Sequence, residues 1–200
     1  MLVLVRHGQS EANVAKILAG RHDSVLTNRG RDQARTLVDR LGGAQLVYSS
    51  PLQRTRDTAA LAVPHVTAEL DQAFLEQDYG SYDGCALAEV PRSEWQQFRS
   101  GHDVALGGGE SLADVDARVY ERLEQLTNQY GSLVADSEQH LVVVSHVSPI
   151  KSAVTWALGI PGSTAWRMRL DNASLTTIGL RDGRPFLASY NEAVAPAVRS

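Results

Sequence analysis

The sequence predicts an α/β fold: a three-layer α/β/α sandwich with a mostly parallel central sheet and a small lid or insertion over residues 70–109, within one domain spanning 1–200. Three observations predict it. The apolar runs Leu-Val-Leu-Val (2–5), Leu-Val-Tyr (46–48) and Leu-Val-Val-Val (141–144) lack polar alternation, the pattern of strands covered on both faces. Helical spacings separate them, and strand alternating with helix builds parallel units. The rhythm then fails between Leu70 and Gly109, where glycine and polar residues dominate and only a short helix near 94–98 is foreseen.

After the first strand, Ala34, Leu37, Val38 and Leu41 follow i, i+3, i+4, i+7 spacing, predicting a helix over 27–41 with Thr27 as N-cap and Gly42-Gly43 as stop. Ser50-Pro51 places a capping hydroxyl before proline, so a second helix should start directly after the second strand and run to about Leu61. Ser111 with Asp114 has capping-box form, and Leu112, Val115, Val119, Leu123 and Leu126 make the longest apolar stripe, expected to end at Gly131. Ser148-Pro149 repeats the cap-plus-proline start, and Gly159 should end a helix carrying Ile150, Val154, Ala157 and Leu158. Asp182-Gly183 between two β-rich runs suggests a closing hairpin.

Composition narrows the task. At 200 residues, 43% apolar and 21% charged, the chain buries enough surface to fold without disulfide or metal. Cys85 is the lone cysteine, and Met1 runs straight into the first apolar run with no basic leader, so a cytoplasmic protein is expected. No window approaches the ~18 apolar residues of a membrane span. A formal net charge of -4 argues against nucleic acid or a membrane surface as partner.

Candidate chemistry sits at the strand ends. Arg6-His7-Gly8-Gln9-Ser10 follows the first strand, Ser49 to Arg54 the second, and Ser145-His146 the third. Ligands of open α/β sheets bind beyond the carboxyl ends of the strands, so these segments can converge. Two arginines and two histidines would then face each other. The planar forks of arginine and oriented helix-start N–H groups specify an anion pocket, and a phosphate-sized ligand fits that inventory best.

These residues also carry a family resemblance. Leu4-Val5-Arg6-His7-Gly8-Gln9-Ser10-Glu11-Ala12-Asn13 resembles the opening signature of the histidine phosphatase superfamily, which includes the phosphoglycerate mutases. Leu26 to Gly30 with Gln33-Ala34, Ser50 to Arg54 with Thr58-Ala59, Leu75 to Gly84, and Gly108 to Ser111 resemble its further motifs, in order, over roughly residues 2 to 180.

The resemblance implies a phosphohistidine on His7, non-bridging oxygens held by Arg6, Arg54 and His146, and Glu76 as proton donor and then acceptor. It also implies Asn13 in the phosphate pocket. Ser10 and Gln9 are expected to line it, with Gly20, Arg21 and Val147 near the substrate. Val147 stands where the family usually has glycine, adding bulk near the pocket. The implied protein is a phosphatase for a small phosphorylated metabolite, monomer or homodimer, with no cofactor and no metal. A cofactor-dependent phosphoglycerate mutase is the alternative, disfavoured because such mutases resemble longer chains. A non-catalytic phospho-ligand binding module is the remaining one, disfavoured because nucleophile and acid are both present.

Other conspicuous residues have plainer readings. His22, His65, His102 and His140 fit no metal-ligand spacing. Cys85 lacks the arginine six positions on that a thiolate phosphatase needs, since that position is Pro91. Asp114 and Asp116 belong to a helix start, and Gly107-Gly108-Gly109 to a turn before it. Trp95, Trp156 and Trp166 show no clustering in sequence and read as core or rim.

Overall fold

The computed structural model describes residues 1–101 and 103–193. His102, expected to be an ordinary surface or core histidine, lies outside the described residues, as does the tail 194–200 of the expected domain.

Six strands form one sheet in the order β3-β2-β4-β1-β5-β6. They are β1 (Leu2–Arg6), β2 (Ala44–Ser49), β3 (Glu69–Leu70), β4 (His140–Ser145), β5 (Ser174–Arg181) and β6 (Arg184–Ala193). The first four run parallel; β5 is antiparallel to β1, and β6 is antiparallel to β5 and so runs with the first four. The sheet is thus mixed and mostly parallel, with helices on both faces.

Alternation along the strands sorts the core into two layers. Leu2, Leu4, Leu141 and Val143 pack with Val115, Val119, Leu123, Ile150 and Ala153, which lie on helices α5 (Leu112–Ala135) and α6 (Val147–Leu158). Val3, Val5, Val142 and Val144 face the other way, onto Leu37, Leu41, Ala59 and Ala62. Beneath that second face run α2 (Asn28–Arg35) and α3 (Gln53–Ala62). Each fully buried Leu or Val stabilises the sandwich by roughly 1.5–3 kcal/mol.

Several boundaries differ from expectation, each with a local cause. The helix expected over 27–41 is α2 plus a separate 3-10 turn, Val38–Leu41. Thr36 turns its hydroxyl back onto the Gln33 carbonyl at 2.7 Å and Leu37 N–H bonds Ala34, three residues back, so the chain tightens there. Ser50 does not cap α3, which starts at Gln53 after Leu52. Neither does Ser148 cap α6; His146 holds that position. The long helix passes Gly131 to Ala135, with a non-helical break at Tyr130, whose ring packs against the core. Gly159 ends α6 with φ 61 as expected, and the Asp182-Gly183 turn has both φ values positive, 53 and 73, the geometry a two-residue hairpin needs. A short α1 (Glu11–Ala15), capped reciprocally by Ser10 and Asn13, was not foreseen, nor was the two-residue β3.

The 70–109 segment contains α4 (Arg92–Ser100), the short helix expected near 94–98 extended at both ends. Val90, Phe98 and Leu106 gather here with Leu18, Tyr79, Trp95 and Trp166 into a third apolar cluster. Trp95 and Trp166 form the rim of this cluster around Phe98, in line with the core-or-rim reading, and distant segments bring them together. Trp166 meets Phe98 edge-on at 4.8 Å between ring centroids.

Candidate active site

Sheet register builds the centre of the site. Arg6 pairs with Ser145 across parallel β1 and β4, so His7 and His146, the next residues of the two strands, emerge side by side. Their rings are 5.2 Å apart between centroids. Both are buried. Gly8 and Gly30 let the two backbone segments approach closely: a methyl on Gly8 would overlap the Gly30 carbonyl, and one on Gly30 would overlap that of Gln9.

Hydrogen bonds assign the proton on each ring. His7 Nδ1 lies 2.7 Å from the Gly8 carbonyl, which only accepts, so Nδ1 carries the proton and Nε2 keeps its lone pair. On His146 the order reverses. Arg54 Nε–H donates to Nδ1 at 3.3 Å, so Nε2–H donates to Ser50 Oγ at 2.9 Å. Burial, reinforced by the charges of Arg6 and Arg54, holds His7 well below its ordinary value. Burial and then Arg54 do the same to His146. Both imidazoles are neutral near pH 7.

The two arginines are used differently. Four of the five N–H donors of Arg54 are spent, on His146 and on the carbonyls of Ala19, Gly20 and His22. Arg54 thus organises the 19–22 loop as well as facing the histidines. Arg6 donates to the Leu170 carbonyl at 2.6 Å, while its buried Nε has no protein partner among the described residues. Such a donor is costly to bury alone.

Glu76 is buried at the start of α6. Its Oε1 accepts from Gln77 N at 2.9 Å and Ser148 N at 3.1 Å, and its Oε2 accepts from Val147 N at 3.0 Å. The neighbouring acids are otherwise occupied: Asp78 accepts from Gly80 N, and Asp83 from the amides of Gly20, Arg21 and His22.

The other expected contact residues are held by bonds and packing within the protein. Ser10 and Asn13 cap α1, and Asn13 Oδ1 also accepts from Asn172. Gln9 Oε1 accepts from Thr27 Oγ1. Gly20 sits where a side chain would strike the Gln77 carbonyl, and Arg21 pairs with Glu110 at 3.0 Å. Val147 offers its amide to Glu76 and its side chain to an adjoining pocket.

Four participants were given no role by the sequence, although Ser50 and Thr58 fall in the motif that also carries Arg54. Ser50 looked like a helix cap. Thr58 Oγ1 accepts from Gly8 N at 3.1 Å, Asn172 donates to the His7 carbonyl at 3.2 Å, and Lys151 lines the pocket beside Val147. Among the described residues, no group of three or more His, Cys, Asp or Glu is placed to hold a metal ion, and no helix is long and apolar enough to cross a membrane.

The family model of the histidine phosphatase superfamily (branch 1) matches residues 2–193. The chain belongs to the histidine phosphatase superfamily. Phosphoserine phosphatase 1 of Hydrogenobacter thermophilus is 34% identical over 198 residues, 95% of this chain and 91% of that protein. The structure of a mycobacterial glucosyl-3-phosphoglycerate phosphatase superposes with a TM-score of 0.86 at 27% identity, covering 95% of this chain and 98% of the other. A 2,3-bisphosphoglycerate-dependent phosphoglycerate mutase of Brucella ovis is 38% identical, over 133 residues only, 60% of this chain and 64% of the mutase. This histidine phosphatase is a phosphoric monoester hydrolase of small phosphorylated metabolites.

Proposed function

We propose that hydrolysis runs through a phosphohistidine on His7. The neutral ring, its Nδ1–H held by Gly8 O, directs the Nε2 lone pair at phosphorus. The N–P bond forms as the ester P–O bond breaks, and the departing oxygen takes a proton from Glu76. Water then attacks phosphorus, gives a proton to Glu76, and the N–P bond breaks to release inorganic phosphate. Arg6, through its unpaired Nε, the remaining N–H of Arg54, and His146, whose Nε2–H turns from Ser50 Oγ to the phosphate, hold the non-bridging oxygens while charge spreads over them. Asn13, Ser10, Gln9, Gly20, Arg21 and Val147 line the substrate pocket around these groups.

The observation that carries this reading is the ring of His7: buried, neutral, and bonded through Nδ1 to an obligate acceptor. Rapid reaction with substrate followed by an alkaline quench is expected to leave alkali-stable, acid-labile phosphate on the peptide containing His7. The His7→Ala variant is expected to lose turnover by at least about 10³-fold. Full activity in that variant refutes the reading. Incubation with 3-phosphoglycerate is expected to release phosphate without forming the 2-isomer; an isomer with little free phosphate would make the enzyme a mutase.

A further inference from the structure

A pocket of about 200 Å³ lies against the first turn of α6, walled by Tyr79, Trp95, Phe98, Leu112 and Trp166 and containing one charged side chain, Lys151. It reaches the residues that hold the Glu76 carboxylate. Val147 and Ser148, whose amides hold Glu76, also line it. Residue 151 follows 148 by three positions and 147 by four, so the three share one helix face, next to the amides that hold Glu76.

Lys151 is partly buried. Burial lowers the pKa of its ammonium, the charge of Glu76 supports the cation, and the charge of Arg6 opposes it. Among the described residues no acceptor hydrogen-bonds that ammonium and no carboxylate pairs with it. Nearby Arg21 and Arg118, by contrast, are both committed to Glu110. A cation held in an aromatic pocket without its own counter-ion is poorly compensated until an anion arrives.

We infer that this pocket receives the leaving alcohol, and that Lys151 selects phosphomonoesters whose alcohol part carries a carboxylate. The inference rests on the placement of the phosphate at His7 proposed above. Charge matching favours a carboxylate: one ammonium balances one carboxylate, whereas a second phosphate would bring surplus charge among aromatic walls. Size agrees, because a pocket of about 200 Å³ is larger than the cavities of about 150 Å³ that take up benzene, and so accepts an alcohol of a few carbons.

The test compares 3-phosphoglycerate with glycerol 3-phosphate, which differ only in carboxylate against hydroxymethyl. Wild-type enzyme is expected to prefer 3-phosphoglycerate. In Lys151→Met, which keeps the apolar stem, kcat/KM for 3-phosphoglycerate should fall about 10- to 100-fold, mainly through KM, the range for a lost hydrogen bond between charged groups. Glycerol 3-phosphate should change less than about threefold, and Lys151→Arg should recover most of the loss. Equal losses on both esters, or no loss on 3-phosphoglycerate, overturns the assignment. Phosphate trapping on His7 with nitrophenyl phosphate runs in parallel. A labelled His7 with an indifferent Lys151 overturns the subsite alone, and an unlabelled His7 overturns the phosphate site on which it rests.

Discussion

Replacing Glu76 by Gln separates its chemical role from its structural one. The carboxylate accepts three backbone N–H groups, two on Oε1 and one on Oε2, at 2.9–3.1 Å. A carboxamide has one acceptor oxygen. Its best orientation keeps the Gln77 and Ser148 bonds and turns an NH2 group toward the Val147 N–H, leaving a donor facing a donor. An unsatisfied buried group costs about 1–3 kcal/mol, so the melting temperature should fall by about 2–12 °C for a chain of this length. The rate effect should be larger. Removing a positioned general acid typically costs 10²–10⁴-fold, and alkyl phosphates, whose leaving oxygen needs a proton, should show it fully. Nitrophenyl phosphate has a better leaving group and should lose less in the first half-reaction. Water attack still lacks its base, so phosphohistidine should accumulate. Rapid-quench kinetics with both esters, beside a thermal melt, reads all three effects. Equal rate losses for the two esters with no trapped intermediate would refute the acid–base role of Glu76, and an unchanged melting temperature would refute the hydrogen bonding described.

Two further outcomes test the scaffold. His7 and His146 both sit below the 6.5 of a free imidazole, so the unfolded chain takes up protons near that pH which the folded chain refuses. Stability is therefore full above about pH 6.5 and should decline below it, by up to about 1.4 kcal/mol per pH unit for each histidine; urea denaturation from pH 7.5 to 5.5 measures the slope, and a flat profile contradicts neutral buried rings. In Gly30→Ala the new methyl meets the backbone carbonyl of Gln9, which cannot rotate aside. A cost of about 1–3 kcal/mol together with reduced kcat is expected, and an unaltered melting temperature would show that the two segments are not in close contact.

Much of the fold was legible because strand and helix patterns are local. The unalternated runs at β1, β2 and β4, the stripe of α5, Gly159 and Asp182-Gly183 each carry their signal within a few residues. Boundaries were legible only where no competing bond existed. Ser50 has the composition of a cap, yet its hydroxyl goes to His146, 96 residues away, and no local rule can foresee a partner at that separation. The same holds for Thr36, whose backward bond shortens α2, and for Trp95 and Trp166, which only the folding of distant segments brings to Phe98.

For the site, the sequence by itself determined the chemical inventory: histidines and arginines placed after buried strands, and an acid in a motif of the right order. Tertiary structure decided how each is used. Parallel register sets His7 beside His146, carbonyls of the 19–22 loop consume most of Arg54, and the first amides of α6 orient Glu76. Lys151 acquires its surroundings only when α4 and the 162–167 turn close around it. The reason is physical: residue type sets which proton or charge a group can carry, whereas the partner that selects its tautomer, burial and direction is supplied from elsewhere in the chain.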